Sequence, residues 1–361
     1  MAKIPQAKKF ALAVFDFLRK SGYAGQARMQ GILMTDHVLV TGGAGYIGAH
    51  ACKVLRDAGF TPVAFDNLST GWRDAVKFGP FAQGDLRDRA SIDAALARYR
   101  PVAVMHFAAL SLVGMSMRDP GLYWRENVNG ALNLLEATVA AGVKNFVFSS
   151  TCATYGDQDG VVLDEDTPQR PINAYGASKQ AIEVMLRNFG AAYGLHHVIF
   201  RYFNVAGADP DGEVGEQHTP ETHLIPLMLD AIDGKRPALT VFGTDYPTPD
   251  GTCIRDYVHV MDLVEAHVLG LRWLLDGKGN AVFCLGTGSG FSVREVIEAS
   301  RAVTNREVPI VLGDRRAGDA VALVSGSARA VQQLGWEPTR STLPTMIRDA
   351  WNWSQKPAFE G

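Results

Sequence analysis

The sequence has little net charge, few cysteines and no long uninterrupted run of apolar residues. Its 361 residues carry a formal net charge of -3 at pH 7, which excludes a bulk electrostatic attraction to nucleic acid or to anionic membranes. No apolar run reaches the ~18 residues that a membrane-spanning helix needs. No internal repeat or low-complexity tract is present. We therefore expect a protein that binds neither nucleic acid nor membrane.

The cysteines argue against a disulfide framework and against a metal centre. They form no CxxC pair and no cluster with histidine at zinc-ligand spacing, and they stand at Cys52, Cys152, Cys253 and Cys284. Disulfides are rare in reducing compartments. We therefore expect reduced thiols, a cytoplasmic location and no metal-ligand cluster.

The first 35 residues differ from the rest of the chain. A basic stretch precedes the apolar residues 10–18, which Asp16 interrupts, and no small-residue cleavage site follows. These features argue against a signal peptide. We expect an N-terminal extension with a short packing helix, and Met34 is an alternative start of the chain. The remaining length leaves room for a large α/β domain and a smaller one.

Predicted strands and helices alternate in the N-terminal half. An apolar strand at His37–Val40 leads into a glycine-rich loop, a helix that ends near Ala58 and a second strand at Thr61–Phe65. The alternation continues with strands at 102–107, 145–149 and 197–201 and helices at 131–141 and 177–193. Apolar strands with helices between them predict a doubly wound parallel sheet that is buried on both faces.

The alternation is lost after Asn204, where Gly, Asp, Glu and Pro become frequent. The predicted fold is therefore α/β, with a doubly wound parallel Rossmann-type sheet and a smaller, less regular α/β substrate-binding domain. We predict that the sheet domain covers residues 36–204, with a return segment at about 252–276. The second domain then comprises residues 205–251 and 277–361.

Gly42, Gly45 and Gly48 occupy the loop between the first predicted strand and helix. A dinucleotide pyrophosphate sits against backbone amides at a helix N-terminus, and a Cβ atom in that turn would hold it away. Asp66 ends the next strand, where a carboxylate suits the ribose 2′-hydroxyl of NAD and repels the 2′-phosphate of NADP. The pattern predicts NAD as the cofactor.

Asp85 and Leu86 follow the third predicted strand. An aspartate with an apolar neighbour at this place contacts the adenine in one interpretation. In the other interpretation Asp85 caps the following helix. The sequence leaves both open.

Tyr175 and Lys179 form the sharpest catalytic pattern in the chain. Residues four apart at the start of a helix lie on one face, and a nearby ammonium favours the phenolate, which predicts a Tyr175 pKa lowered toward neutrality. The hydroxyl-rich segment Ser149–Thr151 lies about 25 residues upstream, at the predicted carboxyl end of a strand. Together these residues predict proton transfer at a hydroxyl group that is coupled to hydride transfer.

The chain resembles the UDP-glucose/UDP-galactose 4-epimerases of the extended short-chain dehydrogenase/reductase superfamily, from about residue 37 to 355. Six segments carry the resemblance. They read TGGAGYIG at 41–48, HFAA at 106–109, NVNG at 127–130, SSTCATYG at 149–156, RYFN at 201–204 and RDYVHV at 255–260.

The resemblance implies a role for each matching residue. Tyr175 is the catalytic acid and base, Lys179 tunes it and binds the nicotinamide ribose, and Thr151 bonds the sugar 4-oxygen. The implied cofactor-binding residues also include Gly42, Gly45, Tyr46, Ile47, Gly48, Asp66, Asn67, Asp85, Leu86, Phe107, Ala108, Ala109, Ser149 and Tyr202. The implied substrate-binding residues also include Asn204, His223, Leu224, Val241, Phe242, Arg255, Arg316 and Asp319.

The resemblance also implies the reaction and the assembly. UDP-galactose and UDP-glucose interconvert through a transient 4-keto sugar and NADH, and NAD stays bound between turnovers without any metal. The helices at about 126–141 and 173–193 form the interface of a homodimer. Guanidinium groups such as those of Arg255 and Arg316 suit the oxygens of a diphosphate.

Several positions depart from the family pattern. Ser111 and Met115 stand where these epimerases carry a lysine and a glutamate, and Thr222-His223 replaces paired asparagines. Leu323 stands where some epimerases have a tyrosine beside sugar carbon 2. A smaller apolar residue there predicts acceptance of N-acetylated sugars.

The pattern argues against several other activities that occur on the same scaffold. A sugar-nucleotide 4,6-dehydratase or a UDP-glucuronate decarboxylase needs acidic groups where this chain has Cys152-Ala153. A non-enzymatic NAD-binding regulator tends to lose the tyrosine or the lysine, and both are present. A 4-epimerase of UDP-xylose and UDP-arabinose stays open, because one small substituent changes binding by only about 1–3 kcal/mol.

Overall fold

The computed structural model describes residues 36–158, 162–316, 320–356 and 359. The predicted N-terminal extension and the predicted site residue Asp319 lie outside the described residues. The strands are β1 His37–Thr41, β2 Thr61–Asp66, β3 Phe81–Gln83, β4 Ala103–His106, β5 Asn145–Ser149, β6 Val162–Leu163, β7 His196–Tyr202, β8 Asn204–Ala206, β9 Leu239–Phe242, β10 Ile254–Arg255, β11 Tyr257–His259, β12 Ala281–Leu285, β13 Phe291–Ser292, β14 Ile310–Gly313 and β15 Ala322–Ser325.

The helices connect these strands in the alternation that the sequence predicts. They are α1 Tyr46–Asp57, α2 Arg89–Tyr99, α3 Val113–Arg118, α4 Pro120–Tyr123, α5 Gly130–Ala140, α6 Ala174–Tyr193, α7 Leu224–Ile232, α8 Val260–Leu275, α9 Val293–Thr304 and α10 Leu343–Ser354. Short 3-10 turns occupy Arg73–Ala75 and Cys152–Thr154, and π-helical turns occupy Trp124–Asn129 and Ala330–Leu334.

The largest sheet has seven parallel strands in the order β12-β7-β5-β4-β1-β2-β3. The chain builds outward from β1 to β3 on one side and from β4 to β12 on the other. The strand order therefore reverses between β1 and β4. Ligands of open α/β sheets bind outside the carboxyl ends of the strands at such a switch point.

Both faces of this sheet are buried, as predicted. Val38 and Val40 of β1 belong to an apolar core that includes Leu55 of α1 and Leu263 of α8. The intervening Leu39 points into a second core, which is formed with residues of α2, α5 and α6. Side chains alternate across a strand, so helices cover each face. The doubly wound α/β fold class is confirmed.

The segment that returns to the large sheet differs from the prediction. Residues 252–276 form β10, β11 and helix α8, and the seventh strand is β12, which pairs with β7. Parallel pairing needs a crossover connection. Helix α8, which lies between β11 and β12 in the chain, packs on the large sheet and forms the last part of this connection. The short apolar run of β12 carries no periodicity that marks it as a sheet strand.

The remaining elements form a smaller α/β region. Its sheets have the orders β13-β10-β15-β6, β11-β8 and β14-β9. A third apolar core joins residues of α7, α9 and α10, including Met228, Val296 and Met346. The division of the chain into a cofactor domain and a substrate domain stays a prediction.

None of the helices within the described ranges combines the length and the apolar character that crossing a bilayer requires. All four cysteines are free and buried.

A buried ion pair fastens α6 to the sheet. Glu183 of α6 is 0% exposed and Arg201 of β7 is 4% exposed. Arg201 donates to both carboxylate oxygens, through Nε at 3.0 Å and Nη2 at 2.5 Å. Ser150 Oγ donates to Glu183 Oε1 at 2.7 Å, and Arg201 Nη1 contacts the Tyr155 hydroxyl oxygen at 2.8 Å. Each charge is therefore compensated inside the fold.

We expect Glu183→Gln to lower the free energy of unfolding by about 3–5 kcal/mol, because it leaves a buried guanidinium without a counter-ion. Glu136 is the matched control, since its carboxylate pairs with Arg89 at 3.2 Å and its side chain is 52% exposed. Glu136→Gln should change stability by less than about 0.5 kcal/mol. Urea denaturation measures both, and equal midpoints for the two variants would contradict the prediction.

Candidate active site

The glycine loop after β1 brings backbone segments into close contact at the start of α1. Gly42 has φ +72°, and a Cβ atom there would lie 2.7 Å from the backbone nitrogen of Ala108. A Cβ atom on Gly48 would lie 2.0 Å from the Gly42 carbonyl oxygen. Gly45 is the N-cap of α1, and no side chain caps this helix. The amides of its first turn therefore suit a pyrophosphate.

Asp66 lies at the end of β2, against the same loop. Its Oδ2 accepts a hydrogen bond from Ala44 N at 3.0 Å, and its Oδ1 accepts one from Leu68 N at 2.8 Å. Burial raises the pKa of this carboxyl group, while the bonds from the backbone of Leu68, Ala44 and Asn67 act in the opposite direction. Its position at the strand end is the one that the prediction of a ribose contact requires.

Asp85 does not cap the following helix, so that interpretation is wrong. The N-cap of α2 is Asp88, whose side chain accepts from Ala90 N at 3.1 Å. Asp85 instead accepts hydrogen bonds from Asn67 Nδ2 at 2.9 Å and from the Arg87 guanidinium, and Arg87 holds the pKa of Asp85 well below its usual range. Asn67 and Asp85 are thus brought together beside Asp66, and Leu86 follows them.

The residues after β4 pack against the glycine loop. The backbone nitrogens of Phe107 and Ala108 each lie 3.1 Å from the Thr41 carbonyl oxygen and donate to it. Thr41 Oγ1 and His106 Nδ1 are hydrogen-bonded at 2.7 Å. The loops that follow β1 and β4 therefore meet at the switch point, which brings the HFAA segment beside the glycines.

Tyr175, Lys179 and the Ser149–Thr151 segment meet at the carboxyl ends of β5 and β7. Lys179 Nζ donates to the Ser149 carbonyl oxygen at 2.9 Å, and burial lowers the pKa of Lys179 to about 7. The Ser149 hydroxyl and the Tyr202 hydroxyl are hydrogen-bonded to each other. Thr151 Oγ1 accepts from Ala153 N at 3.1 Å, which fixes the turn that follows β5.

The predicted lowering of the Tyr175 pKa is wrong for this structure. Burial raises the pKa of Tyr175 to about 12, and a hydrogen bond with Thr151 acts in the opposite direction. The ammonium group of Lys179 is directed to the Ser149 carbonyl, and burial disfavours its charge. Its influence on the phenol is therefore weaker than sequence spacing suggests.

The predicted substrate-binding residues fall into three groups. Asn204 Nδ2 donates to the Asp256 carbonyl oxygen at 2.9 Å, next to Arg255, and Arg255 pairs with Leu323 across β10 and β15. The guanidinium group of Arg316 lies over the ring of Phe242, 5.1 Å from the ring centroid. Phe242 belongs to β9 of the separate β9-β14 sheet, next to the buried Val241. His223 is the N-cap of α7, and Leu224 is its first residue.

Two features escaped the sequence analysis. Asn127 bonds both backbone groups of Leu110 at 2.8 and 3.0 Å and Ser178 Oγ at 3.1 Å, which links the loop after β4 to α6. The second corrects the expectation that the chain has no metal-ligand cluster, because a loop before α7 brings together Glu216, His218, Glu221 and His223. Their spacing of two, three and two residues was the available signal.

Comparison with known proteins agrees with this geometry. The sequence profile of the NAD dependent epimerase/dehydratase family matches residues 38–286. The UDP-glucose 4-epimerase of Rhizobium meliloti (strain 1021) is 49% identical over 324 residues, which cover 90% of this chain and 98% of that protein. At this identity and coverage the relationship extends over both regions of the described fold.

Solved structures give the same result. The UDP-glucose 4-epimerase from Brucella ovis in complex with NAD has a TM-score of 0.86 and 48% identity, covering 88% of this chain and 98% of that one. The UDP-glucose-4-epimerase from Stenotrophomonas maltophila with bound NAD and formylated UDP-arabinopyranose has a TM-score of 0.85 and 38% identity, covering 89% and 98%. On its profile match, its relatives and its fold, this chain belongs to the NAD dependent epimerase/dehydratase family.

Proposed function

We propose that this protein interconverts UDP-galactose and UDP-glucose by inverting the hydroxyl group at sugar carbon 4, with NAD as a bound cofactor. The observation that carries the proposal is the convergence of Thr151, Tyr175 and Lys179 at the carboxyl ends of β5 and β7. These strands stand beside β4 and β1, where the glycine loop lies. Relatives that are 46–50% identical over most of the chain carry this activity in their names.

The residues of the switch point fit NAD. A Cβ atom at Gly42 or Gly48 would collide with the neighbouring backbone, and the uncapped start of α1 offers amides to a pyrophosphate. Asp66 supplies a carboxylate at the end of β2 for the adenosine ribose, and Lys179 would bind the nicotinamide ribose. When bound, NAD supplies the acceptor and donor of hydride for sugar carbon 4.

Side chains of this protein accept and return the proton of the sugar 4-hydroxyl group. Tyr175 takes the proton of the sugar 4-hydroxyl and later returns it, and Thr151 bonds the same oxygen and holds it in place. Arg255 and Arg316 bind the diphosphate, with Asn204 positioned next to Arg255 through the Asp256 carbonyl. Free, buried cysteines are compatible with our proposal of a cytoplasmic location.

Purified protein should epimerise UDP-galactose without added cofactor, and Tyr175→Phe should lower kcat by about 10²–10⁴-fold because the proton carrier is lost. Tyr193→Phe is the matched control, since Tyr193 ends the same helix and is 54% exposed. A coupled assay for UDP-glucose measures the rates. Full activity of Tyr175→Phe, or no turnover by wild type with NAD added, would refute the assignment.

Thr151→Val should move the pH–rate profile to higher pH. The hydrogen bond from Thr151 lowers the pKa of Tyr175, so its removal raises that pKa, and the phenolate then forms only at more alkaline pH. At each pH where kcat still rises with pH, kcat of Thr151→Val should therefore be lower than that of wild type, and its rise should begin at higher pH. Thr151→Ser keeps the hydroxyl and should keep the profile. An unshifted profile for Thr151→Val, measured as kcat against pH, argues against this role.

Leu323 is proposed to widen the substrate range to N-acetylated sugars. It lies directly across from Arg255 in the β10-β15 pair, so both predicted substrate residues share one strip of sheet. Leu323→Tyr should lower the turnover of UDP-N-acetylgalactosamine by more than that of UDP-galactose, because the larger side chain takes up space beside carbon 2. Equal effects on both substrates would exclude the proposal. The turnover of UDP-arabinopyranose in the same assay compares the activity on a UDP-pentose with the activity on the UDP-hexoses.

We also propose a homodimer that is formed through α5 and α6. Val184 of α6 is 43% exposed, and Trp124 in the adjacent π-helical turn is also 43% exposed. Val184→Glu should shift the mass measured by light scattering from dimer to monomer, since a charge in an apolar interface is costly. Val331 is 45% exposed elsewhere, and Val331→Glu should leave the mass unchanged. A monomeric wild type at micromolar concentration would refute the dimer.

A further inference from the structure

We propose that Glu216, His218, Glu221 and His223 form a binding site for one divalent transition-metal ion, with Zn²⁺ as the best fit. One ligand atom from each residue lies within 4.8 Å of the others. Two imidazoles and two carboxylates are a donor set that zinc accepts, whereas magnesium and calcium prefer oxygen alone. The site shares His223 with the residues that the family resemblance implies for substrate binding, but a metal ion goes beyond the proposed epimerase activity, which needs none.

The distances between the four side chains fit a tetrahedral ion. Nδ1 of His223 lies 2.8 Å from a carboxylate oxygen of Glu216 and 3.2 Å from one of Glu221. Nδ1 of His218 lies 3.4 Å from an oxygen of each glutamate. Ligands that bind zinc at about 2.0 Å in a tetrahedron stand about 3.3 Å apart. The four nitrogen-to-oxygen separations range from 2.8 to 3.4 Å, and three of them, at 3.2, 3.4 and 3.4 Å, lie close to this spacing.

His218 provides the sharpest evidence for an ion. Its Nδ1 atom is buried, and within the described residues no hydrogen bond of good geometry reaches it. The rings of His218 and His223 are tilted by 57° relative to each other, with centroids 5.2 Å apart. A single ion between neutral rings would contact both ring nitrogens and both carboxylates.

The charges at the cluster favour a cation. The carboxylates of Glu216 and Glu221 face both imidazole rings, with oxygen atoms 2.8–3.4 Å from the Nδ1 atoms of His218 and His223. Protons and a metal ion compete for the same nitrogens, because a histidine ligand must be neutral. Metal binding should therefore release protons and weaken as pH falls.

A neighbouring acidic cluster differs from this one because a lysine side chain lies among its carboxylates. Asp209, Asp211 and Glu213 also converge, but the ammonium of Lys53 already lies among them, at 2.6, 2.8 and 2.7 Å from their oxygens. Lysine supplies the positive charge there. In the cluster before α7, the basic groups that the described part of the chain places against Glu216 and Glu221 are the imidazoles of His218 and His223, which are the proposed metal ligands.

The cluster lies where a bound ion would fasten three parts of the fold. The Glu216 carbonyl oxygen accepts from Trp353 Nε1 at 2.9 Å, which ties the loop to α10. The ring of His218 packs edge-on against Tyr46 at the start of α1, with centroids 6.4 Å apart. His223 begins α7. A bound ion would therefore connect α10, the start of α1 and the start of α7 beside the glycine loop.

Zinc binding to the full chain tests the site directly. The affinity tag is removed, bound metal is stripped with a chelator, and zinc binding is measured by calorimetry in two buffers that differ in protonation enthalpy. We expect one zinc per chain with release of protons. His218→Gln should weaken binding by more than about 100-fold, because even outer-shell partners of a metal are worth about 10–100-fold. His196 is exposed and outside the cluster, so His196→Gln should bind as wild type does.

A cobalt experiment covers the case in which His218→Gln does not fold. His218→Cys keeps a ligand at this position, and Co²⁺ should then give a thiolate-to-cobalt absorption band that wild type lacks. Equal zinc affinity of wild type and His218→Gln would overturn the proposal. So would two imidazoles that remain protonated at neutral pH with zinc added, measured by NMR, because the cluster would then be an ion-pair network. Epimerase activity is not the readout, so a failure of the proposed function leaves this test intact.

Discussion

The buried pair between Glu183 and Arg201 is the constraint on which the arrangement of the site depends. It joins the middle of α6 to β7, and through Ser150 it reaches the end of β5. Tyr175 and Lys179 precede Glu183 on the same helix, so the pair sets how that helix lies across the strand ends. A buried ion pair adds little net stability over an apolar pair, but its hydrogen bonds tie α6 to β7 and, through Ser150, to the end of β5.

The proposed cofactor site follows from a second constraint, which is the reversal of strand order between β1 and β4. The connections that leave these two strands run in opposite directions along the sheet, while the loops that begin them meet at the switch point, where backbone groups line the crevice. Gly42 and Ala108 approach so closely that a side chain at Gly42 would separate the two loops. The glycines are therefore required by the packing of the protein itself as well as by a pyrophosphate.

The electrostatic state of the proposed catalytic residues depends on burial more than on the spacing of charges. Tyr175 and Lys179 have pKa values of about 12 and about 7, so burial disfavours the charged form of each. Within the described residues, the hydrogen bond from Thr151 favours the Tyr175 phenolate. In the cluster of Glu216, His218 and their neighbours the balance is reversed, because carboxylates face the imidazoles and outweigh the cost of burial.

The sequence by itself determined the parallel sheet, its helices and the glycine loop, because these depend on local periodicity and on backbone conformation near one residue. It also marked Tyr175, Lys179 and Thr151 as a group, since strand ends of one sheet share an edge. Only the tertiary structure decided that β12 completes the sheet and that burial raises the pKa of Tyr175. It also decided that Glu216 and His223 meet, because contacts across a folded loop and the loss of water around a side chain have no local signature.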